Sequence, residues 1–177
     1  MARADPAKRE SEVRDGVSPR FLFAACLLLG LGLGGFFDGI VFHQLLQWHH
    51  MVSGWYPLNS IENIELNTTW DGIFHSFAYV LVLAGVFLLW RSARQGRLLW
   101  SNRSFIAMLL AGWGIFNVVE GLADHQILGL HRVNETVPAN ERLYWDLGFL
   151  IWGAAMLALG WAMANLGERE SADAESL

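Results

Sequence analysis

Four long apolar stretches, separated by polar connections, set the pattern of this chain. They fall at roughly 21–48, 70–91, 104–129 and 143–166. Each is long enough to cross a bilayer as a helix, which takes about 20 residues. The pattern predicts an all-α fold, a four-helix transmembrane bundle. The polar flanks predict two tails: residues 1–20, mixed in charge and disordered, and residues 167–177, acidic and disordered. No segment reads as a separate soluble domain. The connection from Ser53 to Thr69 carries Trp55, Tyr56 and Pro57 and is expected to lie at the membrane interface.

Composition agrees with that division. Hydrophobic residues make up 54% of the chain, and only 16% of residues are charged. The mean hydropathy of +0.32 is too high for an ordinary soluble domain of this size. Most charged residues lie in tails and loops, so the net charge of -5 says little, and the expected partner is the lipid bilayer and not a nucleic acid. The first apolar run continues about 20 residues past Cys26, well beyond the 7–15 residues of a signal-peptide core, so it reads as a retained span. Cys26 is the only cysteine, which rules out an internal disulfide and a thiolate cluster and leaves Cys26 as a small buried apolar residue.

Lys and Arg set the expected orientation. Arg3, Lys8, Arg9, Arg14 and Arg20 precede the first span, and Arg91, Arg94, Arg97 and Arg103 flank the second connection. The connection from about 51 to 69 has neither Lys nor Arg, but carries Glu62 and Glu65. In the third connection Arg132 and Arg142 are balanced by Glu135 and Glu141. Both termini are therefore expected to be cytoplasmic, with the first and third connections outside.

A repeat at an offset of 82 residues runs through the apolar segments. Asp38-Gly39 recurs as Glu120-Gly121, His43-Gln44 as His125-Gln126, Leu46 as Leu128 and His49 as His131. The second and fourth spans match more weakly: Trp70-Asp71 aligns with Trp145-Asp146 and Gly85 with Gly160, but His75 aligns with Leu150. Two duplicated helical hairpins are expected, related by an axis along the membrane normal. Gly30, Gly32, Gly34, Gly35 and Gly39 allow close helix approach in the first span, a structural role without chemistry.

Ionisable residues inside spans are costly and mark function. At 1.5 Å per residue, His43 is expected roughly 10 Å below the outer surface and Asp38 roughly 18 Å. His125 and Glu120 are expected at about 9 and 16 Å, with Asp71, His75 and Asp146 at roughly 6 to 12 Å. Three layers result. His49, His50 and His131 stand at the mouth and read as interfacial residues. His43, His75, His125, Asp71 and Asp146 share the middle. Asp38 and Glu120 lie deepest, with Asn117 near them and Asp124 one turn from Glu120. On a continuous helix Asp38 and His49 would be about 16 Å apart and could not share an ion.

Three imidazoles and two carboxylates from four helices suit a transition metal such as zinc, iron, manganese or copper. The candidate metal ligands are thus His43, His75, His125, Asp71 and Asp146. Asp38, Glu120 and Asp124 form a candidate proton relay or second site. The bland alternative is a set of intramembrane hydrogen bonds.

The strings GGFFDGIVFHQLLQWHH, TTWDGIFHSFAYV, NVVEGLADHQILGLHRV and YWDLGFLIWG resemble those of the bacterial membrane family known as domain of unknown function 2243. The resemblance covers about residues 20–166. It implies a small four-span inner-membrane protein and supplies no reaction.

The leading expectation is a metal site opening to the outer face, serving metal-dependent chemistry or metal handling; the pattern leaves open whether the protein is an enzyme. One alternative is an electron carrier in which His43 and His125 hold haem b. Another is a proton-coupled transporter with the deep acids as its coupling site. Four spans are few for a transporter, which would call for a homo-oligomer, and a respiratory or metal-handling membrane partner fits the other readings.

Overall fold

The computed structural model describes residues 20–94 and 101–175. Most of the expected N-terminal tail, residues 1–19, lies outside the described residues, as do residues 176–177. The described chain is helical, without strands, in four long helices. Helix α1 spans Arg20–Phe37 and runs on as a π-helical segment, Asp38–Leu45. Helix α2 spans Ile61–Arg94. Helix α3 spans Asn102–Glu120 and continues as a second π-helical segment, Gly121–Ile127. Helix α4 spans Arg142–Glu175. All four are long and apolar enough to cross a membrane.

Local chemistry explains the boundaries. The Ser60 side chain accepts the Asn63 N–H and starts α2 nine residues before the expected span, so the interfacial connection is shorter than expected. Ser101 accepts the Ser104 N–H and caps α3. Helix α4 carries through Glu175, so its backbone stays helical over residues 167–175, where a disordered tail was expected.

The packing is layered. Helices α1 and α3 form the central pair, α2 packs on α1, and α4 packs on α3. Among the described residues α2 and α4 do not meet. They instead turn large apolar residues outward, including Phe77, Val80 and Phe87 on α2 and Ile151 and Trp161 on α4. Such a surface suits lipid and would be a liability in water.

Glycine sets the approach of the central pair. Gly30 and Gly112 face each other; a Cβ on Gly30 would run into the Leu109 carbonyl, and one on Gly112 into that of Leu27. The outer helices use the same device. A Cβ on Gly85 would stand 3.0 Å from the Ala25 carbonyl oxygen, and one on Gly160 would collide with that of Ala107. With backbones this close, the polar side chains near the ends of α1 and α3 are brought face to face.

Candidate metal centre

Two interruptions of the α-helix build the site. A π turn closes bonds from residue i to i+5, so residues five apart come near one face. On an α-helix the same pair would diverge by about 140°. Asp38 and His43 have this spacing, as do Glu120 and His125. In each case the π-helical segment holds an acid and a histidine together: Asp38 Oδ2 lies 3.0 Å from His43 Nε2, and Glu120 Oε1 lies 3.2 Å from His125 Nε2.

The chain then turns back. Gln47 (φ 49°) and Gly129 (φ 59°) adopt the left-handed conformation. The Trp48 N–H donates to the Phe42 carbonyl, and the Leu130 N–H to that of Asp124. The two connections also bond each other, Gly54 N–H to Leu130 O and Glu135 N–H to Trp48 O. This reversal carries His49 and His131 into the interior.

The expectation for these two residues is therefore corrected. They are not at a mouth: His49 is 2% exposed and His131 1%. Nor are Asp38 and His49 far apart, because the helix is not continuous; Asp38 Oδ1 lies 3.9 Å from His49 Nε2. The two rings stack, with centroids 4.3 Å apart and planes within 5°. His43 lies 4.5 Å from His49, and His125 lies 4.8 Å from His131, both edge-on. Four imidazoles and two carboxylates thus converge between α1 and α3, all buried. Their donor atoms fall within 4.8 Å of one another in three overlapping groups: His43, His49 and His131; Glu120, His125 and His131; Asp38, His49 and Glu120.

Hydrogen bonding leaves the converging atoms bare. His43 Nδ1–H donates to Asp71 Oδ1 at 2.8 Å, and His49 Nδ1–H to the Val133 carbonyl at 2.8 Å. Both acceptors lack protons to give, so in each neutral ring Nε2 keeps its lone pair. Among the described residues these two Nε2 atoms have no hydrogen-bond partner, and neither do the two nitrogens of His125 and of His131 or the two carboxylate oxygens of Asp38 and of Glu120. Buried polar atoms are almost always paired. Burial holds His49 below the ordinary imidazole range and His131 well below it, with neighbouring imidazoles adding to the effect at His131. Both are therefore neutral at pH 7, the form that ligates.

Asp71 and Asp146 stand behind the imidazoles and do not share the central space. Asp71, from α2, accepts His43 and the Met51 N–H on Oδ1 and His50 Nδ1 on Oδ2 at 2.6 Å. Asp146, from α4, accepts the Val133 N–H on Oδ1, and Arg132 and Gln126 on Oδ2. Its Oδ1 lies 3.9 Å from His125 Nδ1. Each acid fastens the connection that follows the neighbouring central helix, and Asp71 also orients His43.

His75 is not brought to the cluster. Its Nδ1 donates to the Asp71 carbonyl, its ring stacks on Phe36, and its Nε2 packs against Gly39. Asp124 is half-buried on the second π-helical segment and outside all three groups. Asn117 is buried but bonds weakly to the Met156 sulfur at 3.9 Å. Of the expected middle layer, then, His43 and His125 reach the centre, joined by Asp38 and Glu120 from the deep layer and by His49 and His131. The repeat itself marked all six residues; what the sequence reasoning missed was the helix break that unites them.

The family described as "Predicted membrane protein (DUF2243)" matches residues 25–167. No curated protein and no solved structure matches the chain. The chain belongs to that family, whose members are membrane proteins by description.

Proposed function

We propose that this member of the family binds a transition-metal ion in the His/carboxylate cluster, for metal-dependent chemistry or metal handling at the outer side of the bacterial inner membrane. The observation that carries the reading is the set of unpartnered, buried Nε2 and carboxylate atoms converging between α1 and α3. Four imidazoles and two carboxylates suit zinc, iron, manganese or copper. Asp71 behind His43 and the Val133 carbonyl behind His49 supply the outer hydrogen bonds that fix a ligating tautomer. Haem fits the geometry less well: His49 and His131, stacked at 4.3 Å, fill the space that a porphyrin would need between His43 and His125.

The orientation is part of the proposal. The cluster lies at the end of α1 opposite the Arg-rich N-terminal tail, so cytoplasmic termini would place it near the outer face. Cysteines introduced at exposed Asn59 and Asn102 test this, since native Cys26 is buried. An impermeant thiol reagent should label Asn59→Cys in intact cells and spare Asn102→Cys; the opposite pattern reverses the topology.

Duplication is likewise proposed. Contacts recurring at the sequence offsets support it. His50 and Arg132 each bind the Oδ2 of their acid, and the Met51 and Val133 N–H groups each bind Oδ1.

The test of metal binding is elemental analysis of protein purified without chelators, with the visible spectrum recorded alongside. Bound metal is expected, lowered in His43→Ala and in His131→Ala. A metal-free parent refutes the reading and returns the cluster to a proton path or hydrogen-bonded core. A Soret band assigns the imidazoles to haem.

A further inference from the structure

We infer that the cluster is a centre for two metal ions, one held by Asp38, His43 and His49 and the other by Glu120, His125 and His131. The inference rests on the metal-binding reading above and concerns its nuclearity.

Ligand geometry limits what one ion can take. Nitrogen and oxygen ligands sit about 2.0–2.2 Å from a first-row ion, so any two donors of one ion lie within about 4.4 Å of each other. The six side chains do not form one such set. Their mutually close groups hold three residues each, and none joins His43 with His125. Centroids lie 4.5 and 4.8 Å apart within each proposed triad and 5.8 Å from His43 to His131 and 6.1 Å from His49 to His125, while the stacked His49 and His131, 4.3 Å apart, mark where the two triads adjoin.

Each triad also brings lone pairs together. Asp38 Oδ2 is 3.0 Å from His43 Nε2 and Oδ1 3.9 Å from His49 Nε2, and the Nδ1–H groups of both rings are committed elsewhere. A carboxylate and imidazoles at that range take a shared proton or a metal ion between them. In the other triad Glu120 Oε1 faces His125 Nε2 at 3.2 Å, and both atoms lack hydrogen bonds. Two of the close groups join the triads, His43 and His49 with His131, and Asp38 and His49 with Glu120; the second brings both carboxylates together beside His49, where they can bridge. Two-metal centres hold their ions about 3.5–4 Å apart.

Charge points the same way. Four buried carboxylates, Asp38, Glu120, Asp71 and Asp146, face one partly exposed guanidinium, Arg132. In an apolar surround such an excess is costly. With all four acids ionised, one divalent ion leaves the site negative and two offset it.

The test loads the full-length protein in detergent with Mn(II), removes free metal by desalting, and measures metal per chain and the EPR spectrum. Two ions per chain with an exchange-coupled signal are expected. His43→Gln and His125→Gln should each retain one ion with an uncoupled signal, and the double variant none. One ion per chain in the parent overturns the inference and leaves the metal-binding reading standing. Two ions without coupling place them apart and also overturn it. No retained Mn(II), Zn(II) or Co(II) in the parent removes the metal-binding reading itself. The parent spectrum decides the matter even where a variant fails to fold.

Discussion

Asp71 offers the most discriminating single substitution. Its carboxylate accepts three hydrogen bonds: His43 Nδ1 at 2.8 Å, His50 Nδ1 at 2.6 Å and the Met51 N–H at 2.8 Å. Hydrogen bonds to a charged group contribute about 1.5–3 kcal/mol each. Asp71→Asn keeps one acceptor oxygen but turns an NH2 group toward donors on the other side. Of three bonds, one or two are lost, so the expected destabilisation is about 2–4 kcal/mol. Nothing else anchors the His43 tautomer, so metal retention should fall as well. Loss of an outer partner of this kind costs about 10- to 100-fold in affinity. Thermal unfolding in detergent, followed by circular dichroism with and without added Zn(II), reads both effects. Asp146→Asn is the comparator. Its Oδ2 binds the partly exposed Arg132, which can turn to water when released, so the stability loss should be smaller. Unchanged unfolding and unchanged metal retention in Asp71→Asn would refute the role given to this carboxylate.

Three further outcomes follow from the same geometry. Gly112→Val should separate the central helices, costing about 1–3 kcal/mol by overpacking and lowering metal retention, whereas Gly72→Ala, with open space at its Cβ, should be neutral or slightly stabilising in the same melts. Gly129→Ala should lose about 1 kcal/mol from its left-handed backbone alone, since its Cβ meets nothing, and Gln47→Gly should gain a similar amount; equal melting temperatures for the two variants would contradict the turn geometry. In the metal-free protein, burial among His43, His49 and His125 keeps the folded pKa of His131 below its unfolded value. That contribution to stability is present above pH about 6.5 and is lost as pH falls below it; His131→Phe should therefore flatten the acid side of the melting-temperature profile, and a profile as steep as the parent's would count against it.

The fold was legible because lipid leaves few choices. Long apolar runs such as 104–129 are helices by necessity, and the helix found at Asn102–Ile127 differs only at its ends. The site was legible in its residue types and repeat but not in its assembly. Along a continuous α-helix Asp38 and His49 stand far apart in depth, and only the break brings them together. The break lies in features with weak sequence signals. A π-helical segment has no distinctive composition, and the left-handed residue before Trp48 is a glutamine, not the glycine that marks the equivalent turn at Gly129. His75 misled for a related reason: a histidine four residues after an aspartate can simply donate to that residue's backbone carbonyl, as it does here at 2.8 Å.

The helix interruptions also explain why polar chemistry can be tolerated at this depth. Within lipid, irregular backbone survives only where it is covered by protein. Here the two connections cover each other. Gly54 donates to Leu130 and Glu135 donates to Trp48, while Asp71 and Asp146 take the N–H groups of Met51 and Val133. The acids that orient His43 and approach His125 are therefore also the groups that hold these turns closed. Folding of the connections and assembly of the cluster draw on the same few bonds. A change that frees either acid should loosen the turn and disperse the imidazoles together, so the centre can exist only when both connections are seated.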